Sequence, residues 1–208
     1  LTAEEIDRLH ALHAALGDTV PMATRLEIAY LPLPSAMPGQ ASEIACPVVR
    51  DGVFFAAGTG DVNAVSWWQI QHYGLMLHGS SLSSLVPPVS WNAVEAAMHH
   101  NLVAYWPARA TEPGRFLDDY WVQFAVTTLC RIMTTLEDHR MESKDSAVDR
   151  WALRLTPRWH LLLREASRIR HAPDCPSFYS APEARAQDVQ EFLAHVQRRS
   201  LGSPTLAT

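Results

Sequence analysis

Beyond Ser66, apolar residues recur at helical spacing along almost the whole chain, and this periodicity constrains the fold more than any other feature. Most of the amphipathic runs begin at a serine or a proline, residue types that commonly start helices. The predicted helices span about 90–105, 116–137, 145–155, 157–171 and 182 onwards. A capping box at Ser66–Gln69 predicts one more, ending near Gly74 or Gly79. Residues 66–208 are therefore predicted to form a C-terminal antiparallel helical bundle domain.

Residues 1–65 show a different pattern, which predicts a partial α/β region. Thr2–Glu5 is a capping box that opens a helix, and the apolar stripe of this helix is Ile6, Leu9, Leu12 and Leu16. Alternation over 25–31 predicts a strand, as does the run 53–57. The stretch 32–52 holds four prolines and two glycines and is predicted to be a long loop. The predicted fold class is α+β, with a partial mixed sheet followed by a mostly α bundle.

Composition and charge exclude several functional classes. With 208 residues, 48% of them hydrophobic, and seven tryptophans, the chain can build a substantial core. A net charge of -5 without any Lys/Arg run argues against a nucleic-acid-binding surface and suits a small cationic ligand. No apolar run approaches the 18 residues of a membrane span, and the N-terminus has no signal-peptide layout. We expect a monomer or weak dimer that binds neither membrane nor nucleic acid.

Cysteine usage indicates the redox environment. Cys46, Cys130 and Cys175 are an odd number at wide spacing, which favours free thiols over a disulfide framework or a zinc site. The sequence therefore predicts a cytoplasmic protein without disulfides.

A pair of acids marks a candidate ligand site. Asp145 and Asp149 are four residues apart near a helix start capped by Ser143, so both carboxylates leave the same face. Such a pair can bind a cation, can be a solvated surface, or can be neutralised internally by Lys144, Arg150 or Arg154. These interpretations remain open at this stage.

Several segments carry a resemblance to a known family. Leu129–Ile132, running without a gap to Lys144–Asp149 and Trp151–Leu153, resembles the C-terminal helical domain of aminoglycoside (streptomycin and spectinomycin) 3''-adenylyltransferases. Three further segments, 61–67, 73–79 and 158–166, are similar to the wider group of nucleotidyltransferase-like proteins that share this domain. The resemblance covers residues 1 to about 171.

The resemblance implies an enzyme that transfers AMP from ATP to a hydroxyl of an aminoglycoside-like or other small cationic compound. It implies Mg²⁺ held by an Asp-x-Asp pair, with a third carboxylate as base. Glu27 lies at the place of that third carboxylate. Asp145 and Asp149 match the acids that face the drug, and Lys144 is a candidate contact to the nucleotide phosphate or else a solvated lysine.

The chain departs from the family pattern at the metal site. No Gly-Ser with a downstream Asp-x-Asp is present, so no metal ligand is assigned, and we expect those residues to lie upstream of Leu1. Glu165 stands where the family tends to carry a lysine for the nucleotide, and Arg150 is an extra residue. Two functions therefore remain in view: an adenylyl-transferring enzyme, and a non-catalytic ligand-binding or regulatory paralogue.

Overall fold

The structure is a computed structural model that describes residues 1–31, 45–59, 63–79, 86, 88–112 and 114–202. It is α+β and mostly helical, with a small three-stranded sheet, so the predicted fold class is confirmed. The chain divides into two compact units, Leu1–Val94 and Glu95–Thr208. The domains predicted as 1–65 and 66–208 stay a prediction. No helix among the described residues has the length and hydrophobicity needed to cross a membrane.

The first helix of the N-terminal unit, α1 (Ala3–Thr19), has the predicted capping box. The Glu5 N–H donates to the Thr2 hydroxyl at 3.2 Å, and the Thr2 N–H donates to the Glu5 carboxylate at 2.7 Å. The predicted apolar stripe is wrong in one position, because Leu12 is 50% exposed and the buried residue is His13. The His13 ring forms a hydrogen bond with the Tyr30 hydroxyl, at 2.5 Å. This bond gives the buried ring a polar partner, without which its burial would destabilise the folded state.

The sheet contains β1 (Ile28–Ala29), β2 (Ala45–Arg50) and β3 (Val53–Thr59), all antiparallel and in that order. β2 corrects the prediction of a loop over 32–52, and residues 32–44 lie outside the described residues. The sequence did not indicate this strand because it contains Pro47, and proline usually interrupts the hydrogen-bond ladder between strands. Here a register shift between Cys46 and Val48 accommodates it, and its carbonyl accepts the Tyr30 N–H at 2.9 Å.

A two-residue turn joins β2 to β3. Asp51 and Gly52 both have positive φ, 48° and 75°, as the hairpin turn that matches strand twist requires. A Cβ on Gly52 would lie 2.5 Å from the Thr24 Cα, so this position also needs glycine for space. The strand predicted over 25–31 shortens to β1, and Arg25 instead belongs to a 3-10 turn, Ala23–Arg25.

The next helix, α2 (Ala64–Tyr73), ends at Gly74 as predicted but begins earlier than predicted. Its N-cap is Asn63, whose side-chain oxygen accepts the N–H groups of Val65 and Ser66 at 2.9 and 3.2 Å. Ser66 is therefore inside the helix and does not cap it. Asparagine caps helices as well as serine does, but the capping-box pattern at Ser66–Gln69 favoured a later start of the helix than Asn63.

The five helices predicted after residue 90 are confirmed, although several of their ends differ. α3 (Trp91–His100) is followed by a short helix that was not predicted, α4 (Trp106–Ala110). The others are α5 (Asp119–Asp138), α6 (Lys144–Arg154), α7 (His160–His171), which starts after a 3-10 turn over Pro157–Trp159, and α8 (Pro182–Leu201). The boundary between the two compact units falls within α3. α5 begins at Asp119 rather than Phe116, because the Asp118 carboxylate caps it by accepting the Trp121 N–H at 3.2 Å.

A π-helical turn, Asn101–Tyr105, connects α3 to α4. Pro107 explains it, because proline lacks the N–H that would bond to the carbonyl four residues earlier. The Leu102 carbonyl accepts a hydrogen bond from the Gln197 side chain of α8 at 2.6 Å.

The core of the C-terminal unit forms around α5, which packs against α6, α7 and α8. Trp151 is fully buried and donates its indole N–H to the Thr134 hydroxyl at 2.9 Å. Cys130 is also fully buried, and burial raises the pKa of its thiol well above the ordinary value. All three cysteines are free thiols, as predicted.

Candidate functional site

Ser143 places the candidate acids at the start of α6. Its hydroxyl accepts the Ser146 N–H at 3.1 Å, which confirms the predicted N-cap. Lys144 and Asp145 therefore lie in the first turn, and Asp149 follows one turn later on the same side of the helix. Ala147, Val148 and Trp151 form the opposite, buried face.

Asp145 is bound by α7. Arg170 donates to its carboxylate from Nε at 2.9 Å and Nη2 at 3.4 Å, and the His171 ring lies 3.0 Å from it. The hydrogen bond from Arg170 lowers the pKa of Asp145, and His171 lowers it further. An internal cation therefore neutralises this acid. It comes from α7 and is none of the three basic residues near Asp145 in sequence.

Two of those nearby basic residues have other partners. Arg150 donates to the Glu142 carboxylate from Nε at 2.9 Å, and Arg154 donates to both oxygens of Asp138 at 2.8 Å. The positive charges of Arg150 and Arg154 are therefore paired with other acids.

Asp149 differs from Asp145. Its side chain is exposed, and no ion pair joins it to any residue in the part of the chain that the structure describes. It lies on the wall of an open pocket with a volume of about 550 Å³ between α6, α7 and the segment 172–178. The floor is apolar and contains Val148, Ala152, Leu163 and Ala172. The polar and aromatic groups around it are His160, Arg164, Ser167, Arg168, His171, Cys175 and Phe178.

Lys144 is half-buried, and its Nζ lies 5.0 Å from the centre of the Phe124 ring. Burial lowers the pKa of Lys144, and repulsion from Arg170 and Arg131 lowers it further, while Asp145 opposes the shift. The predicted contact of Lys144 with a nucleotide phosphate stays a prediction.

Glu27, in the N-terminal unit, is exposed and directly precedes β1. Its carboxylate accepts the N–H of Asp51, in the β2–β3 turn, at 3.0 Å. This bond holds one carboxylate oxygen against the hairpin, and within the part of the chain that the structure describes no hydrogen bond reaches the other. The role of Glu27 as a general base stays a prediction.

A buried carboxylate on α7 was not predicted as a functional group. Glu165 is fully buried and accepts hydrogen bonds from two arginines, Arg168 at 2.9 and 3.1 Å and Arg185 at 3.1 Å. Ser177 and the Phe178 N–H also donate to it, at 2.7 and 2.9 Å. Burial alone would raise the pKa of Glu165, but these donors outweigh burial and lower it to about 2. Its charge is thus compensated within the fold.

The Glu165 network holds one wall of the pocket. Arg168 donates to the carbonyls of Pro173 and Cys175 at 3.1 and 2.7 Å, so the segment after α7 is tied to the helix. Arg185 links the same network to α8 and donates to the Leu117 carbonyl at 2.8 Å. A sequence signal existed, since an acid on the apolar stripe of an amphipathic helix with an arginine three residues later predicts a buried ion pair.

Metal binding finds no support in the described residues. Nowhere in residues 1–31, 45–59, 63–79, 86, 88–112 and 114–202 do three or more His, Cys, Asp or Glu side chains gather as a metal site. These described residues do not fit the Mg²⁺ that the family resemblance implies.

Comparisons with known proteins identify the helical unit. No curated protein matches the chain. A family model described as aminoglycoside adenylyltransferase, C-terminal domain, matches residues 84–199, which include all the helices from α3 to α7 and most of α8. The resemblance inferred from the sequence is confirmed, and the chain belongs to the family defined by the aminoglycoside adenylyltransferase C-terminal domain.

Proposed function

We propose that this protein is a nucleotidyltransferase that transfers AMP from ATP to a hydroxyl of an aminoglycoside-like or other small cationic compound. Membership of the family supports the reaction class. The observation that carries the substrate class is the exposed Asp149 carboxylate, which lies in a pocket of about 550 Å³ without an internal counter-ion among the described residues. Pockets of this volume take small molecules.

The two acids on α6 have different roles in this proposal. A ligand cation that reaches Asp149 gains a charge-assisted hydrogen bond without displacing an internal partner. At Asp145 the same cation competes with Arg170 and His171. Asp149 is therefore the principal cation-binding residue, and Asp145 is a secondary one.

Glu27 is proposed as the general base that receives the proton of the attacking hydroxyl. It is exposed and ionisable, and its hydrogen bond to the Asp51 N–H holds one oxygen in place. Lys144 is proposed as a contact to the nucleotide phosphate. The proposal includes Mg²⁺ and ATP because of family membership. It includes a cytoplasmic location and a monomer or weak dimer because of the composition of the chain.

The test is AMP transfer by the full-length natural protein. The acceptor is analysed by mass spectrometry after incubation with ATP, Mg²⁺ and either an aminoglycoside (streptomycin, spectinomycin or kanamycin) or serine, a small hydroxyl compound that also carries an ammonium group. Glu27→Gln is expected to lower turnover by roughly 10² to 10⁴, the scale of a positioned base. Asp149→Asn is expected to raise KM about tenfold with little change in kcat. Glu4→Gln, an exposed acid on α1, is the matched control.

The outcomes separate the two functions. Transfer that requires Glu27 supports the enzyme. Cation binding that requires Asp149 without transfer under any condition supports the non-catalytic ligand-binding alternative.

A further inference from the structure

Two charged side chains of opposite sign face the same pocket of the C-terminal unit without pairing with each other. Asp149 lies on α6 and Arg164 on α7, and both line the pocket. No ion pair joins either of them to any residue in the described part of the chain. Both side chains are exposed, so each charge is available to a ligand.

The other polar groups of the pocket are already committed. His171 binds Asp145 at 3.0 Å, and the His160 ring lies 3.2 Å from the Leu155 carbonyl. Ser167 donates to the Leu163 carbonyl at 3.1 Å, and Arg168 belongs to the buried Glu165 network. One negative and one positive group therefore dominate recognition.

Arg164 is oriented for binding an anion. Its guanidinium lies over the Phe178 ring, 4.6 Å from the ring centre. Stacking on an aromatic face leaves the N–H donors at the edge of the guanidinium plane, where a carboxylate can accept two of them. The main chain of Phe178 is held in place, because its N–H donates to the buried Glu165 carboxylate at 2.9 Å. Arg164 therefore contacts a segment of the pocket lining whose main chain is bonded to the buried Glu165.

We infer that this pocket binds a zwitterion: a small molecule whose ammonium or guanidinium meets Asp149, whose carboxylate meets Arg164, and whose apolar body lies on the floor at Val148, Ala152 and Leu163. This inference rests on the proposed function and narrows its substrate class: of the aminoglycoside-like and other small cationic compounds proposed as acceptors, it selects those that also carry an anionic group. An aminoglycoside, with several cations and no anion, would bring an unpaired positive charge towards Arg164, so transfer to it is expected to be weaker than transfer to a hydroxyl-bearing zwitterion.

Three probes share the same phenyl group and differ in charge. Phenylalanine carries both an ammonium and a carboxylate, phenethylamine carries only the ammonium, and 3-phenylpropanoate carries only the carboxylate. They are binding probes and not acceptors, since none has an aliphatic hydroxyl. We expect phenylalanine to bind the full-length protein at least about tenfold more tightly than either relative in calorimetry, the scale of one charge-assisted hydrogen bond.

A second readout places the ligand. Cys175 lines the pocket and is exposed, whereas Cys46 and Cys130 are buried, so iodoacetamide should alkylate Cys175 selectively. Saturating phenylalanine should slow this alkylation several-fold. Binding without protection of Cys175 would overturn the assignment of the pocket.

Variants test each charge. Asp149→Asn and Arg164→Gln should each weaken phenylalanine binding about tenfold or more, and Arg164→Lys should restore part of it. Glu183→Gln and Arg198→Gln, exposed positions on α8 outside the pocket, are the matched controls and should bind as the natural protein does. Equal affinity for phenylalanine and phenethylamine, unchanged binding by Arg164→Gln, or no binding of any probe would overturn the inference.

The failures of the two proposals are distinguishable. If phenethylamine binding requires Asp149 but is unchanged in Arg164→Gln, the zwitterion inference is overturned and the proposed recognition of a cation by Asp149 is retained. Phenylalanine binding that requires both residues, in a protein that transfers no AMP to an aminoglycoside or to serine, supports the zwitterion site and overturns the proposed enzymatic function.

Discussion

Asp145 and Asp149 lie one helical turn apart on α6, but Arg170 and His171 of α7 bind only Asp145. Two acids at this spacing repel each other, and the fold relieves the repulsion at one of them. The same sequence pattern therefore produces one acid with a structural partner and one that faces a pocket.

Replacing each acid should affect stability differently. Asp145→Asn should lower the free energy of unfolding by about 0.5–1 kcal/mol at pH 7, because its half-exposed ion pair is screened by solvent. Asp149→Asn should leave stability level or raise it by about 0.2–0.5 kcal/mol, since it removes the repulsion. Urea denaturation measures both. An equal loss in the two variants would contradict the assignment of the ion pair to Asp145.

The Asp145 contribution should depend on pH. The pKa of this carboxyl is lowered in the folded state, chiefly by the hydrogen bond from Arg170. The stabilisation is therefore present above the ordinary Asp pKa and is lost as pH falls through the folded value. The difference between the natural protein and Asp145→Asn in thermal unfolding should stay level as pH falls towards the ordinary Asp pKa of 3.8, and it should shrink below that value.

Glu165→Gln should destabilise the C-terminal unit far more than any surface change. The amide removes the buried carboxylate that Arg168 and Arg185 share and leaves them, among the acids that the structure describes, only the half-exposed Asp119, at 3.4 and 2.6 Å. Breaking such a buried pair costs about 3–5 kcal/mol. Thermal unfolding at pH 7 measures it, with Glu183→Gln, an exposed acid on α8, as the control. Glu165 has a pKa of about 2 in the fold against an ordinary 4.5, so its contribution is complete above pH 4.5 and is lost as pH falls towards 2. A difference that grows on acidification would refute this.

Thr134→Val should test the bond in the core of the C-terminal unit. The change leaves the buried Trp151 N–H without an acceptor, which costs about 1–3 kcal/mol. Thr134→Ser keeps the hydroxyl and should cost clearly less. Chemical denaturation monitored by tryptophan fluorescence compares them; similar losses would mean that the methyl group and not the hydrogen bond matters.

Gly52→Ala should destabilise the N-terminal unit by about 1–3 kcal/mol, because a Cβ would clash with the Thr24 backbone at a positive φ. Gly17→Ala is the matched control. This glycine lies in α1 with open space around it, so alanine should stabilise the helix by about 0.5–1 kcal/mol. Calorimetry of both variants checks the sign. A neutral Gly52→Ala would contradict the turn geometry.

Local chemistry was sufficient to determine most helices from the sequence. The Thr2–Glu5 capping box, the Ser143 cap and Pro182 each act within one helical turn, so their effect can be read without knowing the fold. The family was also within reach of the sequence, because its motifs lie at fixed spacing along these helices.

Contacts between distant segments required the tertiary structure. β2 forms only because β1 and β3 pair with it and a bulge accommodates Pro47, none of which local patterning shows. Asp145 and Asp149 are equivalent in sequence, and they differ because α7 brings Arg170 to only one of them. The local pattern of Glu165 indicates a pair with Arg168 only, whereas its second arginine, Arg185, comes from α8, 20 residues away along the chain. The sequence determined which segments become helices, whereas packing decided which of their charges are neutralised and which remain available to a ligand, because ion pairing depends on distances that only the folded chain sets.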